Sequence, residues 1–333
     1  MECKAMPQIR RLLLSWNEQF SQILLGMTII VLAVLLDQAS PFFLTWDNWR
    51  NILDQSALLV IISVGMTFVI CTGGIDLSVG AITALSGVCM ALALHAGLTV
   101  EVSILLGLAA GAAVGLFNGL LISRLNISPF IVTLAAMSVT RGIALILTKG
   151  IPIYGFSKSF TWWGSGHIGP VNPPILLALM LALMGALVLN RTKLGYYTLA
   201  LGGNEEALRR SGIANKAYKT VVYTISGLTA AIGGLVVTAR LNTAEPLAGW
   251  MLELDAIAAV VLGGTDMKGG RGSITGTVMA CLLLGMLRNG LTILNIPSYY
   301  QQLTIGLIIL VAIVISELRL RNAPGHGNMM KED

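Results

Sequence analysis

The sequence predicts an all-α, polytopic membrane protein of about ten transmembrane helices with one short charged helix in a connection. Two observations carry the fold class. Of 333 residues, 55% are hydrophobic and only 11% charged, with a mean hydropathy of +0.81. A water-soluble domain is typically about one quarter charged, so this chain cannot cover a surface with polar side chains. Apolar stretches approaching the roughly 20 residues needed to cross about 30 Å of hydrocarbon also recur from end to end.

In chain order the candidate spans lie near 20–37, 56–72, 79–96, 100–122, 129–148, 174–190, 220–240, 251–263, 272–291 and 299–316. The first follows Lys4, Arg10 and Arg11. Its apolar run is too long for a secretory leader and lacks a small-residue cleavage site, so it reads as a retained helix. The fourth carries Gly107, Gly111, Gly115 and Gly119 at four-residue spacing. Four glycines on one helical face form a ridge against which another backbone packs closely. The eighth is short and contains Glu253 and Asp255.

With the N-terminus cytoplasmic and ten alternating spans, the inner segments hold Lys4, Arg10, Arg11, Arg124, Arg191, Lys193, Arg209, Arg210, Lys216, Lys219, Lys268, Arg271, Arg319, Arg321 and Lys331. The outer segments keep Arg50, Lys149, Lys158 and Arg240. That asymmetry follows the positive-inside rule and predicts that both termini are cytoplasmic. It divides one membrane domain over 1–333 into a cytoplasmic segment 1–19, a cytoplasmic loop 191–219 and a cytoplasmic tail 317–333. The net charge of +5 is then a matter of topology beside membrane lipid, with no nucleic acid partner.

The stretch LALGGNEEALRRSGIANKAYKT, residues 199–220, stands out in this apolar chain. Asn204 is suited to cap a helix, and Glu205 and Glu206 place negative charge in its first turn, where the helix dipole favours it. Glu205 with Arg209 and Glu206 with Arg210 are i,i+4 pairs in the preferred orientation. Gly212 supplies a left-handed stop, after which Ile213 folds back on Leu208. A helix of about two turns is marginal alone in water, so its double capping favours a docked role over a solvated loop that merely carries charge.

Two further loops echo each other. Gly73-Gly74-Ile75-Asp76 precedes Gly80-Ala81-Ile82-Thr83, and Gly263-Gly264-Thr265-Asp266 precedes Gly272-Ser273-Ile274-Thr275. The glycines permit tight turns, and each Asp can cap the next helix or accept from a neighbouring amide. A tight connection is the simpler reading of each; a role in gating or partner contact is the other, with Lys268, Gly270 and Arg271 favouring the later loop. At membrane depth, Asn118, Arg141 and Asp255 are candidates for a wet pathway, because polar groups there face a partner or a cavity. Arg141 and Arg288 can alternatively extend to an interface.

Catalytic patterns are missing. The sequence has no GxxxxGK[ST], HExxH or GxSxG string, and Cys3, Cys71, Cys89 and Cys281 form no CxxC pair. No catalytic residue and no metal site are predicted.

ALGGNEEALRRSGI resembles the cytoplasmic coupling loop of bacterial ABC importer permeases, and within them the ribose-type, or monosaccharide, branch. VGMTFVICTGGIDLSVGAI at 64–82, VLGGTDMKGGRGSITGT at 261–277 and IPSYYQQLTIGLIIL at 296–310 are similar to the same branch. The resemblance implies that Gly203, Asn204, Glu205, Glu206, Ala207, Arg209, Arg210 and Gly212 dock on a separate ATPase subunit. It implies ATP and magnesium on that partner and no cofactor on this chain. It also implies a second permease copy or paralogue, an extracytoplasmic sugar-binding protein and a bacterial inner-membrane location. The rival reading is a secondary transporter driven by an ion gradient, which needs a buried titrating carboxylate; Asp255 is its candidate.

Overall fold

The structure, a computed structural model, describes residues 6–304, 306, 307 and 310. Eleven helices are delimited among them: α1 (Met6–Ala39), α2 (Trp46–Cys71), α3 (Val79–His95), α4 (Val100–Leu125), α5 (Pro129–Thr148), α6 (Lys158–Ser165), α7 (Pro173–Arg191), α8 (Lys193–Arg210), α9 (Asn215–Leu241), α10 (Leu252–Leu262) and α11 (Ile274–Ile293). A further helical segment covers 298–304. Seven helices are long and apolar enough to cross a membrane, in α1, α2, α4, α5, α7, α9 and α11.

Among the described residues the count of about ten full spans is not reached, and the middle of the chain shows why. The expected span 251–263 is the eleven-residue α10. At 1.5 Å per residue it is about 16 Å long, half a bilayer. The chain before it is not helical: Gly249 and Met251 take left-handed φ of +70° and +62°. α3, at 17 residues, is also short for a full span. The expected 299–316 span and the 317–333 tail lie mostly outside the described residues, as do residues 1–5 of the N-terminal segment. The all-α reading misses one small sheet, in which β1 (Ile153–Tyr154) pairs antiparallel with β2 (Thr243–Ala244), Ile153 opposite Ala244. α6 was unforeseen as well, because eight residues carry too little periodicity to see.

α9 is the hub, packing on α4, α2, α3 and α6. The glycine ridge of α4 explains its closest contact. A Cβ on Gly111 would lie 2.7 Å from the Gly227 carbonyl oxygen, on Gly115 3.1 Å from Gly227 Cα, and on Gly119 2.7 Å from Thr220 Cα. No side chain fits there, so the two backbones touch. The buried residues of α4 are this ridge with Ser103, Asn118, Ile122 and Ser123, whereas Leu105 and Phe117 point outward at 64% and 58% exposure. That apolar exterior is the surface a helix presents to lipid.

The connections gather at two ends. At one, the α2–α3 loop, the α4–α5 turn and the start of α9 line a common cavity with Glu205. At the other, the Phe156 amide donates to Asn242 Oδ1 and Arg240 pairs with Asp54.

Candidate functional site

The charged helix has the expected caps. The backbone breaks at Asn204 (φ −163°, ψ 94°), which divides α8 in two. Asn204 Oδ1 then accepts from the Ala207 amide at 2.8 Å. At the far end Gly212 has φ +78°. Its amide donates to Arg209 O at 3.0 Å, and Ile213 N donates to Leu208 O at 3.4 Å. These are the two bonds of a Schellman stop.

The ion pairs differ from the expectation in one respect. Glu206 accepts from Arg209 at 2.8 Å and from Arg210 at 3.0 Å, and these guanidinium donors hold its carboxyl below the usual range. Glu205 pairs with Lys219 of α9 at 2.7 Å instead of with Arg209. The reason is orientation: Asn215 Nδ2 donates to Glu205 O at 2.8 Å, which turns this side of the helix toward α9. The Arg209 and Arg210 side chains are left 71% and 78% exposed.

The turn leading into the charged helix is seated on the core through Gly202, which lies in the first half of α8 and is absent from the expected docking set. A Cβ there would strike the Cys71 carbonyl and the Gly270 amide and sit 2.8 Å from the Gly269 carbonyl carbon. Gly203, which the reading favoured, has open space at its own Cβ position, although its backbone lies against Gly270. Gly270 N donates to Cys71 O at 3.0 Å. A Cβ on Gly73 would lie 3.1 Å from the Lys268 carbonyl oxygen. The two echoing loops therefore touch each other directly beneath the charged helix.

Their echo extends to hydrogen bonding. Asp76 Oδ1 accepts from Ser78 N at 3.0 Å, and Asp266 Oδ1 accepts from Lys268 N at 2.9 Å. Both are bonds to the amide two residues on. Both preceding helices end on a left-handed glycine, but on the first of the pair in one loop (Gly73, φ +76°) and on the second in the other (Gly264, φ +91°). Gly263 is required for another reason: a Cβ there would lie 2.5 Å from Thr277 N of α11.

Asp76 is completely buried. Besides Ser78 N it accepts from Ser78 Oγ at 2.5 Å and from Ser226 Oγ of α9 at 2.7 Å. Asn118 Nδ2 in turn donates to Ser78 Oγ at 2.9 Å. Asn118, expected on a pathway, is thus fully enclosed and ties α4 to the α2–α3 loop. Ser78 and Ser226 were unreadable as partners, since only the fold brings them to Asp76.

Arg141 also has an internal task. Its Nη1 donates to the carbonyls of Pro246 at 3.1 Å and Ala248 at 2.6 Å. It supports the non-helical backbone ahead of α10, the kind of backbone that membrane depth tolerates only inside protein. Asp255 pairs with Arg288 of α11 at 2.9 Å. Among the described residues no group of three or more His, Cys, Asp or Glu is placed to hold a metal.

This architecture of long lipid-facing helices, a broken α10 and a capped helix riding on paired glycine loops defines a multi-pass membrane transport subunit. The chain belongs to the family described as branched-chain amino acid transport system / permease component, whose model matches residues 48–313. It is 42% identical over 291 residues to the ribose import permease protein RbsC of Escherichia coli (strain K12), covering 86% of this chain and 91% of that one. It is 45% identical over 290 residues to RbsC of Bacillus subtilis (strain 168), covering 86% and 90%. It is 38% identical over 290 residues to the D-allose transport system permease protein AlsC of Escherichia coli (strain K12), covering 87% and 89%. A solved chain described as a metal-chelate type ABC transporter in an inward-facing conformation shares the fold, with a TM-score of 0.52 at 15% identity, over 90% of this chain and 98% of that one.

Proposed function

We propose that this chain is the membrane-spanning subunit of an ATP-binding-cassette importer that moves a monosaccharide across the bacterial inner membrane. Its curated relatives carry sugar names, ribose and allose among them, although the family description speaks of branched-chain amino acids. In this reading a binding protein delivers the sugar outside, a second permease copy or paralogue completes the path, and ATP with magnesium is hydrolysed on separate ATPase chains. The helix at 204–212, the glycine loops and both termini face the cytoplasm.

The observation that carries the reading is the seat of that helix. Arg209, Arg210 and Glu206 are offered to a partner, while Gly202 presses on Cys71 and on Gly269–Gly270. Cys71 ends α2, and Gly269–Gly270 lie in the loop joining α10 to α11. A pull on the helix reaches three membrane helices through backbone contacts too tight to absorb it. Packed interfaces of this kind switch between discrete arrangements instead of deforming continuously. ATPase closure would in this way alternate the two openings of the path.

Reversing both acidic charges tests the docking. Glu205→Lys with Glu206→Lys should insert normally yet lose stoichiometric copurification of the ATPase; retention of the ATPase with normal uptake would rule the coupling role out. The rival ion-gradient reading needs Asp255 as a titrating site. Its pairing with Arg288 at 2.9 Å counts against that, because the carboxylate already has its cation.

A further inference from the structure

The α4 and α5 exteriors are apolar, with Leu105 and Val139 more than 60% exposed. One face of the molecule departs from this. On the first turns of α2, Asp47, Asn51 and Gln55 follow at four-residue spacing, and all three are exposed. Four residues apart is one helical face, so they form a stripe descending from the end of the helix. The stripe arrives at the Asp255–Arg288 pair, whose side chains are 18% and 45% exposed.

The Asp255–Arg288 ion pair, with Gln55 beside it, would be costly against hydrocarbon and faces a wet cavity instead. A second observation marks a ligand position. Gln55, Ser56, Asp255, Gly285 and Arg288 line a notch of about 30 Å³ between α2, α10 and α11. Such a volume holds about one water-sized group. Ser56 is only 2% exposed, and its Oγ has no hydrogen-bond partner. Gly285 keeps the notch open, since a Cβ there would meet Ser56 Oγ.

We infer that this face is one wall of the outward-opening translocation path and that the notch receives a hydroxyl of the passing sugar. The inference rests on the proposed transport function and assigns its polar lining. A sugar hydroxyl both donates and accepts, and the notch offers both kinds of partner: the Asp255 carboxylate to accept its proton, and the Arg288 guanidinium and Gln55 amide to donate. A single hydroxyl-sized position suits a path that must hold its cargo weakly enough to release it. Asn118 is enclosed elsewhere and Arg141 holds the chain before α10, so neither is part of this wall.

The test uses the complete importer in its native cells with ribose as the probe. Gln55→Cys should be labelled from outside by a membrane-impermeant maleimide, and labelling should block ribose uptake. The natural Cys71 and Cys281 are buried, and the remaining background is removed by replacing the half-buried Cys89, and Cys3, with serine. Arg288→Lys keeps the charge but loses the fork, so the KM for uptake should rise about tenfold, the scale of one charge-assisted hydrogen bond. If Arg288→Lys fails to assemble, Gln55→Ala leaves the ion pair intact and should raise KM in the same direction. A Gln55→Cys importer that carries ribose yet resists labelling would overturn the wall. A Gln55→Cys chain that labels while the parent importer carries no monosaccharide would overturn the sugar assignment and leave the wet wall standing.

Discussion

Asp76 shows how a single carboxylate can fasten a loop inside a membrane protein. Ser78 Oγ accepts from Asn118 Nδ2, so its own hydrogen is directed at Asp76, and Ser226 supplies another donor from α9. Asp76→Ala would remove the shared acceptor and leave buried donors unmet, at a cost of about 1–3 kcal/mol per group. We expect that variant to melt at a lower temperature in detergent and to yield less folded protein; an unchanged melting curve would show that the network adds nothing to stability. GGID in the sequence announced a turn with a capping Asp, and that much was legible. Ser226, 150 residues away, was not, because nothing local distinguishes a serine that meets a buried carboxylate from one that does not. The partners of Arg141 are illegible for the same reason: they are backbone carbonyls, which carry no mark in the side-chain sequence.

At the scale of elements, cap chemistry proved readable and helix length did not. The charged helix was visible because Asn204 and Gly212 act within a few residues of themselves, as its observed caps do. The glycine ridge of α4 was equally plain, since a four-residue spacing needs no partner to be seen. The apolar composition of α10 predicts a span, but hydropathy does not register the left-handed turns at Gly249 and Met251 that precede it. Gly202 gives the sharpest test at this scale. Gly202→Val would push the segment that leads into the charged helix off Cys71 and Gly270 without touching the exposed charges. The ATPase should still copurify and hydrolyse ATP, while sugar uptake falls at least tenfold, an uncoupled phenotype distinct from that of the Glu205→Lys, Glu206→Lys chain. Loss of ATPase binding instead would mean that Gly202 merely holds the helix in shape.

For the whole molecule, the two ends of the bundle carry different charge, and this predicts an orientation. The end that holds the glycine loops and the capped helix contains Arg124, Arg191, Lys193, Arg209, Arg210, Lys216, Lys219, Lys268 and Arg271, from helix termini and connections the fold brings together. The opposite end, around β1, β2 and α6, has Arg50, Lys149, Lys158 and Arg240, and Arg240 is already neutralised by Asp54. The shortness of α10 does not disturb this sorting. The non-helical chain before it starts beside β2 and α10 ends at the glycine-loop end, so the direction of travel still alternates. By the positive-inside rule, the Lys- and Arg-rich end is expected to stay in the cytoplasm. Ser211 and Ser159 are exposed at the two ends. In intact spheroplasts Ser159→Cys should react with an impermeant maleimide, whereas Ser211→Cys should react only after permeabilisation. The reverse pattern would place the charged helix outside, out of reach of any cytoplasmic ATPase, and the coupling mechanism would fall with it.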